Sequence, residues 1–294
     1  MPDRPPLRFG FSPCPNDTFA FWALAHDELL AGGAPSPSLP PFVCEPVLAD
    51  IEALNQRALG PAAERLPVTK LSLPALAQVI DQYAVLDAGA ALGFGCGPLV
   101  VSASSRGLKL ADLADARVAI PGQHTTANLL FASLLPKPRE VVEMRFDEIL
   151  SAVEQGRCDA GLVIHESRFT YREHGLVELA DLGVLWEQET GGPLPLGVIA
   201  ARRDLDPDVF EAIERGIAAS VRIARAEPEK PRLWIRQHAQ EMADDVCDQH
   251  IALYVNDFTE SLGDVGRRAI DELLARGRRA GLLPAGGSAY REQP

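Results

Sequence analysis

Leu194-Pro195-Leu196-Gly197-Val198-Ile199-Ala200 is the run on which the fold turns. It reads as a buried strand, short, apolar and rich in branched side chains. Beyond Arg202 the pattern is helical to the C-terminus. Phe210, Ile213, Ile217, Val221 and Ala224 form one helical stripe, and a further helix spans about Gly266 to Arg279, closed by Gly281 and Pro284. A helical tail needs a sheet to cover, and that sheet must lie earlier in the chain. The strand near Val198 is therefore expected to be a return crossing, matched by an outward crossing near Leu99. The expected fold class is α/β with two lobes. Residues 1–102 and 201–294 form a discontinuous larger domain, 103–200 a smaller one, and the ligand sits in the cleft between them.

Upstream, strands and amphipathic helices alternate. Leu7, Phe9 and Phe11 mark a strand, with a helix from about Thr18 to Leu30. Phe42 to Leu48 is a strand candidate, Ile51 to Ala58 a helix, Val68 to Ser72 a short strand, and Pro74 to about Tyr83 a helix. Strands follow at Pro98–Ser102 and Val118, then helices from Thr125 or Thr126 to Leu135 and around Asp147 to Gln155. The Gly-, Pro- and Ser-rich stretch Ala31 to Pro41 reads as an exposed loop.

Composition narrows the function. A chain of 294 residues exceeds what one hydrophobic core usually organises. With 41 acidic against 28 basic residues the net charge is −13, so nucleic acid and anionic membranes are repelled. The Met-Pro-Asp-Arg-Pro-Pro start lacks the charged-then-apolar layout of a secretory signal, and no apolar run reaches the ~20 residues of a membrane span. A cytoplasmic protein is expected. Five scattered cysteines without a Cys-x-x-Cys pair argue against a disulfide framework and against a zinc site.

Four segments carry candidate chemistry. Ala160-Gly161-Leu162-Val163-Ile164 reads as a buried strand with His165 where it runs out, and ligands bind at the carboxyl ends of strands in open α/β sheets. An imidazole there exchanges protons near neutral pH, although a strand-end histidine bonded to backbone is the plainer alternative. Glu166 and Arg168 can form an ion pair, or a neighbouring carboxylate can fix the tautomer of His165. Ser12 to Thr18, with Asn16 and two prolines around Cys14, makes a stiff turn into a helix; either a binding turn or a simple cap fits it. In Ile120 to Ala127, Thr125 and Thr126 can cap a helix or meet an anion, and His124 reads as an exposed loop residue. Lys70 and Ser72 share one face of a strand and together can grip a carboxylate, while a lysine reaching water is the commoner outcome. Gly-x-x-x-x-Gly-Lys-Ser/Thr, Gly-x-Gly-x-x-Gly and Gly-x-Ser-x-Gly patterns at strand–helix turns are absent.

Several of these blocks, in order along the chain, resemble the 1,4-dihydroxy-6-naphthoate synthases of the futalosine route to menaquinone. They are Ser12 to Phe19, Val68 to Ser72, Gly89 to Gly93 with Gly97 to Val101, Pro121 to Ala127, Ile164 to Tyr171 and Tyr254-Val255-Asn256. The resemblance implies a periplasmic-binding-protein-like fold of type II. It implies a lyase that cleaves cyclic dehypoxanthinyl futalosine into 1,4-dihydroxy-6-naphthoate and dihydroxyacetone, without metal or organic cofactor. It also implies that His165 is the general base and that substrate is met by Lys70, Leu71, Ser72, Thr126 and Ala127, with Asn16, Thr125 and Ile164 beside them. The partner expected is a small carboxylate, with the chain a monomer or homodimer. The alternatives are a chorismate dehydratase of the same pathway and a non-catalytic solute-binding protein.

Overall fold

The computed structural model describes residues 4–30, 40–239 and 243–291, so most of the loop expected at Ala31 to Pro41 lies outside the described residues. Two sheets form. The first takes β1 (Pro6–Phe11), β2 (Val43–Leu48), β3 (Val68–Ser72), β4 (Tyr83–Val85), β5 (Ala91–Gly93) and β11 (Leu194–Arg202). Its order is β2-β1-β3-β11-β4, with β5 also on β11; β1, β2 and β3 are parallel, and β11 runs antiparallel to β3, β4 and β5. The second sheet has β6 (Leu99–Ala103), β7 (Arg117–Ile120), β8 (Glu140–Glu143), β9 (Ala160–Val163) and β10 (Leu176–Asp181), in the order β10-β6-β9-β7-β8. Among the described residues no strand follows β11.

Helices cover both sheets. They are α1 (Pro15–Ala25), α2 (Ile51–Leu59), α3 (Leu73–Gln78), α4 (Thr126–Leu134), α5 (Ile149–Glu154), α6 (Ser167–Thr170), α7 (Leu182–Thr190), α8 (Pro207–Ala226), α9 (Arg232–His238), α10 (Asp244–Tyr254), α11 (Asp257–Glu260) and α12 (Gly263–Arg279). The central strands are apolar throughout because each buries both faces. Val198 and Ala200 of β11 join a core shared by the two lobes, while Ile199 and Ala201 join the core under α1 and α8. Likewise Val100 and Leu162 face the shared core, whereas Leu99, Val101 and Val163 face α5. The stripe Phe210, Ile213, Ile217, Val221 and Ala224 is buried along α8.

Strand membership corrects the expected boundaries. Residues 99–102, placed with the larger lobe, belong to the second sheet, and 194–200, placed with the smaller, belong to the first. A crossing strand pairs with the sheet it enters, and two buried faces hide which sheet that is. Tyr83 also lies in β4 rather than at a helix end. Edge strands β8 and β10 escape sequence reading because their outward positions are polar, as edges tend to be.

The crossing is pinned where Gly97 meets Gly183, the second residue of α7. A Cβ on Gly97 would stand 2.1 Å from the Gly183 backbone nitrogen. Arg168 donates to the Gly97 carbonyl and pairs with Asp181 at 2.6 Å, while the Leu182 N–H donates to Pro98. Of the two readings left open for Glu166 and Arg168, the ion pair between them is not made: Arg168 pairs with Asp181 at this joint. Gly97→Ala is expected to lower stability by about 1–3 kcal/mol through overpacking, read as a shift of the urea midpoint; an unchanged midpoint would remove the joint from the account.

Candidate active site

Strand β9 delivers His165 through Ile164, and the chain turns at once into α6. To do so His165 takes φ 56°, the left-handed region, which costs a non-glycine residue about 1–3 kcal/mol. Its ring packs edge-on to Phe146 (4.9 Å) and stands 6.2 Å from the ring of His250. Nε2 is shut off from water without a hydrogen-bond partner. Burial, then the Lys70 ammonium, push the imidazole pKa down to about 4 against the opposing pull of Asp17. The ring is therefore neutral at pH 7, with a lone pair able to take a proton.

Facing it is a buried ion pair. Lys70 Nζ lies 2.5 and 2.7 Å from the two Asp17 oxygens, both side chains almost wholly buried. Asp17, in the first turn of α1, also accepts from the Ser12 N–H (3.0 Å), the Ser12 hydroxyl (2.6 Å) and the Asn16 amide (2.9 Å). The Ser72 hydroxyl accepts from Asn55 (3.1 Å), whose carbonyl takes the Ser72 N–H (2.9 Å). Lys70 and Ser72 thus line the cavity with their polar groups already engaged, a departure from the two-residue carboxylate grip expected from spacing. The Leu71 side chain packs into the core, which leaves its backbone groups for any contact with a ligand.

The second lobe answers through α4. Thr125 caps it, accepting from the Asn128 N–H at 3.2 Å. Thr126 spans the lobes: its hydroxyl donates to Leu196 O (2.6 Å) and accepts from the Leu73 N–H (3.2 Å). Glu52 on α2 reaches His124 Nδ1 at 2.7 Å, and Asn55 donates to the His124 carbonyl at 3.3 Å. His124, expected to be an exposed loop residue, is instead a cross-cleft contact. Gly122 has φ 150°, and a Cβ there would lie 2.6 Å from the Glu52 carboxylate.

Asn16, Lys70, Ser72, Thr125, Thr126, Ala127, Ile164 and His165 all line one cavity. His250, Cys96 and Tyr254 line it too; the first two escaped sequence reasoning, and the sequence marks Tyr254 only as part of a family-like block. The available signal was the i, i+4 spacing of His250 and Tyr254, which puts both on one helix face. Burial depresses the His250 pKa and raises those of Cys14 and Tyr254. The cavity volume is about 70 Å³. That is under half of the roughly 150 Å³ apolar cavity that accepts benzene. Among the described residues one grouping has metal-ligand atoms close together: Cys14, His165 and Glu166, mutually within 4.8 Å.

A model of the menaquinone biosynthesis family matches residues 7–279. A Thermus thermophilus protein named 1,4-dihydroxy-6-naphthoate synthase is 49% identical over 94% of this chain and 95% of its own. This chain belongs to that synthase family. A second relative so named, from Streptomyces coelicolor, is 46% identical over 96% of both chains. The crystal structure of an Archaeoglobus fulgidus protein, 33% identical, superposes with a TM-score of 0.84 over 95% of this chain and 98% of that one. An alkanesulfonate-binding protein from Xanthomonas axonopodis pv. citri, 15% identical, superposes at 0.67 over 96% of each chain. The fold is thus the two-lobed type II fold of periplasmic binding proteins, here carried by a member of an enzyme family. No helix among the described residues is long and apolar enough to cross a membrane.

Two variants of this synthase-family member test the geometry. Asp17→Asn leaves the Lys70 ammonium buried without a counter-charge and is expected to lower unfolding free energy by about 3–5 kcal/mol in urea. Thr126→Val strands the Leu73 N–H and the Leu196 carbonyl, a loss of about 1–3 kcal/mol from lobe closure. The expected result is a raised KM and a larger radius of gyration in solution scattering; neither change would appear if Thr126 were only a cap.

Proposed function

We propose that this chain cleaves cyclic dehypoxanthinyl futalosine at a carbon–carbon bond, giving 1,4-dihydroxy-6-naphthoate and dihydroxyacetone, with His165 as the general base. The observation that carries the reading is a neutral imidazole without a partner on Nε2, held in a strained turn at the mouth of β9. Full-length relatives named for that product support it. Backbone strain of this kind persists where the surroundings over-determine a residue, and it marks sites where position matters more than local comfort.

In the proposed reaction His165 takes the proton of a substrate hydroxyl. That oxygen becomes the carbonyl of the departing three-carbon fragment as the carbon–carbon bond breaks. The bonding electron pair passes to the ring system, where a proton shift completes the naphthalene diol, and the imidazolium returns its proton. Atoms balance without water or an oxidant. Aromatisation supplies driving force, so orientation and one base carry the catalysis. Lobe closure excludes water from the charged intermediate. We assign the substrate carboxylate to the first turn of α4, whose Thr126 and Ala127 line the cavity at the positive end of the helix dipole. The Lys70 charge, by contrast, is matched by Asp17.

Incubating purified protein with cyclic dehypoxanthinyl futalosine and following naphthoate fluorescence tests the reading, which fails if wild type forms no product. His165→Ala is expected to lower kcat by about 10²–10⁴-fold. His165→Gly should be equally inactive, yet more stable than the alanine variant by about 1 kcal/mol, because glycine accepts the left-handed turn. Equal midpoints for the two would mean that no strain is stored there.

A further inference from the structure

We propose that Cys14, His165 and Glu166 form a binding site for a divalent cation of the Zn²⁺ class, with His250 beside it as a fourth ligand. Their ligand atoms lie within 4.8 Å of one another, and His250 Nδ1 stands 4.0 Å from Glu166 Oε1. In a tetrahedral zinc site, ligand bonds of about 2.0–2.3 Å set neighbouring donor atoms roughly 3.3–3.7 Å apart. Modest side-chain movement closes the difference.

Three observations point to a cation here. His165 Nε2 and His250 Nδ1 are both buried without a hydrogen-bond partner, and His250 is 1% exposed. Buried polar atoms of that kind are costly unless something binds them. The charges also fit. Asp17 neutralises Lys70, and loss of the Cys14 thiol proton would supply a negatively charged sulfur ligand. Finally, one sulfur, one or two imidazoles and one carboxylate make a mixed donor set. It favours Zn²⁺ over Mg²⁺ or Ca²⁺, which prefer all-oxygen shells. The cysteine spacing gave no hint of this, because the ligands are brought together only by the fold.

Cys14 comes from the turn before α1, and His165 with Glu166 from the β9–α6 turn of the other lobe. The ion would therefore tie the closed lobes together. On the reading of His165 as base, it would also silence turnover by occupying the imidazole lone pair. Binding releases one proton, from the thiol, and involves no electron transfer.

The test uses chelator-treated full-length protein, titrated with ZnCl2 by calorimetry and with CoCl2 by absorption spectroscopy. The expected result is one ion per chain, a thiolate-to-cobalt charge-transfer band, and no heat with MgCl2. Cys14→Ser should abolish the band and weaken zinc binding by more than the ~10–100-fold that loss of an outer-shell partner costs. His250→Gln, which spares the thiol, should keep the band and weaken affinity. Absence of stoichiometric zinc binding overturns the proposal, and so does unchanged affinity in folded Cys14→Ser, which would place the ion elsewhere on the surface. These arms need no turnover, so they stand apart from the catalytic reading. In the product assay, zinc should inhibit wild type and a chelator should restore it.

Discussion

The contact between Lys70 and Asp17 organises the rest of the site. Removing both charges from water costs several kcal/mol per ion, and only excellent geometry with further hydrogen bonds offsets it. Asp17 has that geometry: two contacts from the ammonium and three more from Ser12 and Asn16. Through them the middle of β3 is fastened to the first turn of α1, where Asn16 lines the cavity. The same pair sets the field at His165. The ammonium adds to burial in disfavouring protonation of the imidazole, and Asp17 opposes it.

Around this fixed pair the two lobes meet through few polar contacts, and those are specific. From the second lobe Thr126 meets Leu73 and Leu196 of the first with one hydroxyl, and Glu52 with Asn55 grips the loop around His124. A shared apolar core lies beside them. Binding proteins of this fold use closure to trap a ligand. In this chain the facing surfaces bring His165 and the Lys70–Asp17 pair to one cavity from opposite lobes.

Much of this was legible in the sequence. The strand before His165, the stiff turn at Ser12 to Asp17 and the start of α4 each have a local cause, in apolar runs, prolines or a capping threonine. The helix stripe of α8 follows directly from its 3.6-residue period. What escaped depended on distant residues. Nothing near Lys70 announces Asp17, 53 positions away, and nothing near His165 announces His250. The lobe boundaries slipped because a strand buried on both faces looks the same whichever sheet it joins. Arg168 stands two residues from Glu166, yet its carboxylate partner is Asp181 of the next strand.

Strand β11 has a consequence for how the molecule is made. It inserts antiparallel between β3 and β4, and it also holds β5. Until residue 202 has left the ribosome, the first sheet lacks its middle strand, and β1 to β3 wait with an open edge. The strands of the second sheet are contiguous in sequence from Leu99 to Asp181 and can close before that. Synthesis therefore favours a finished smaller lobe beside an unfinished larger one, an interval in which an exposed sheet edge invites pairing with other chains. Chaperone demand during production should concentrate in that window.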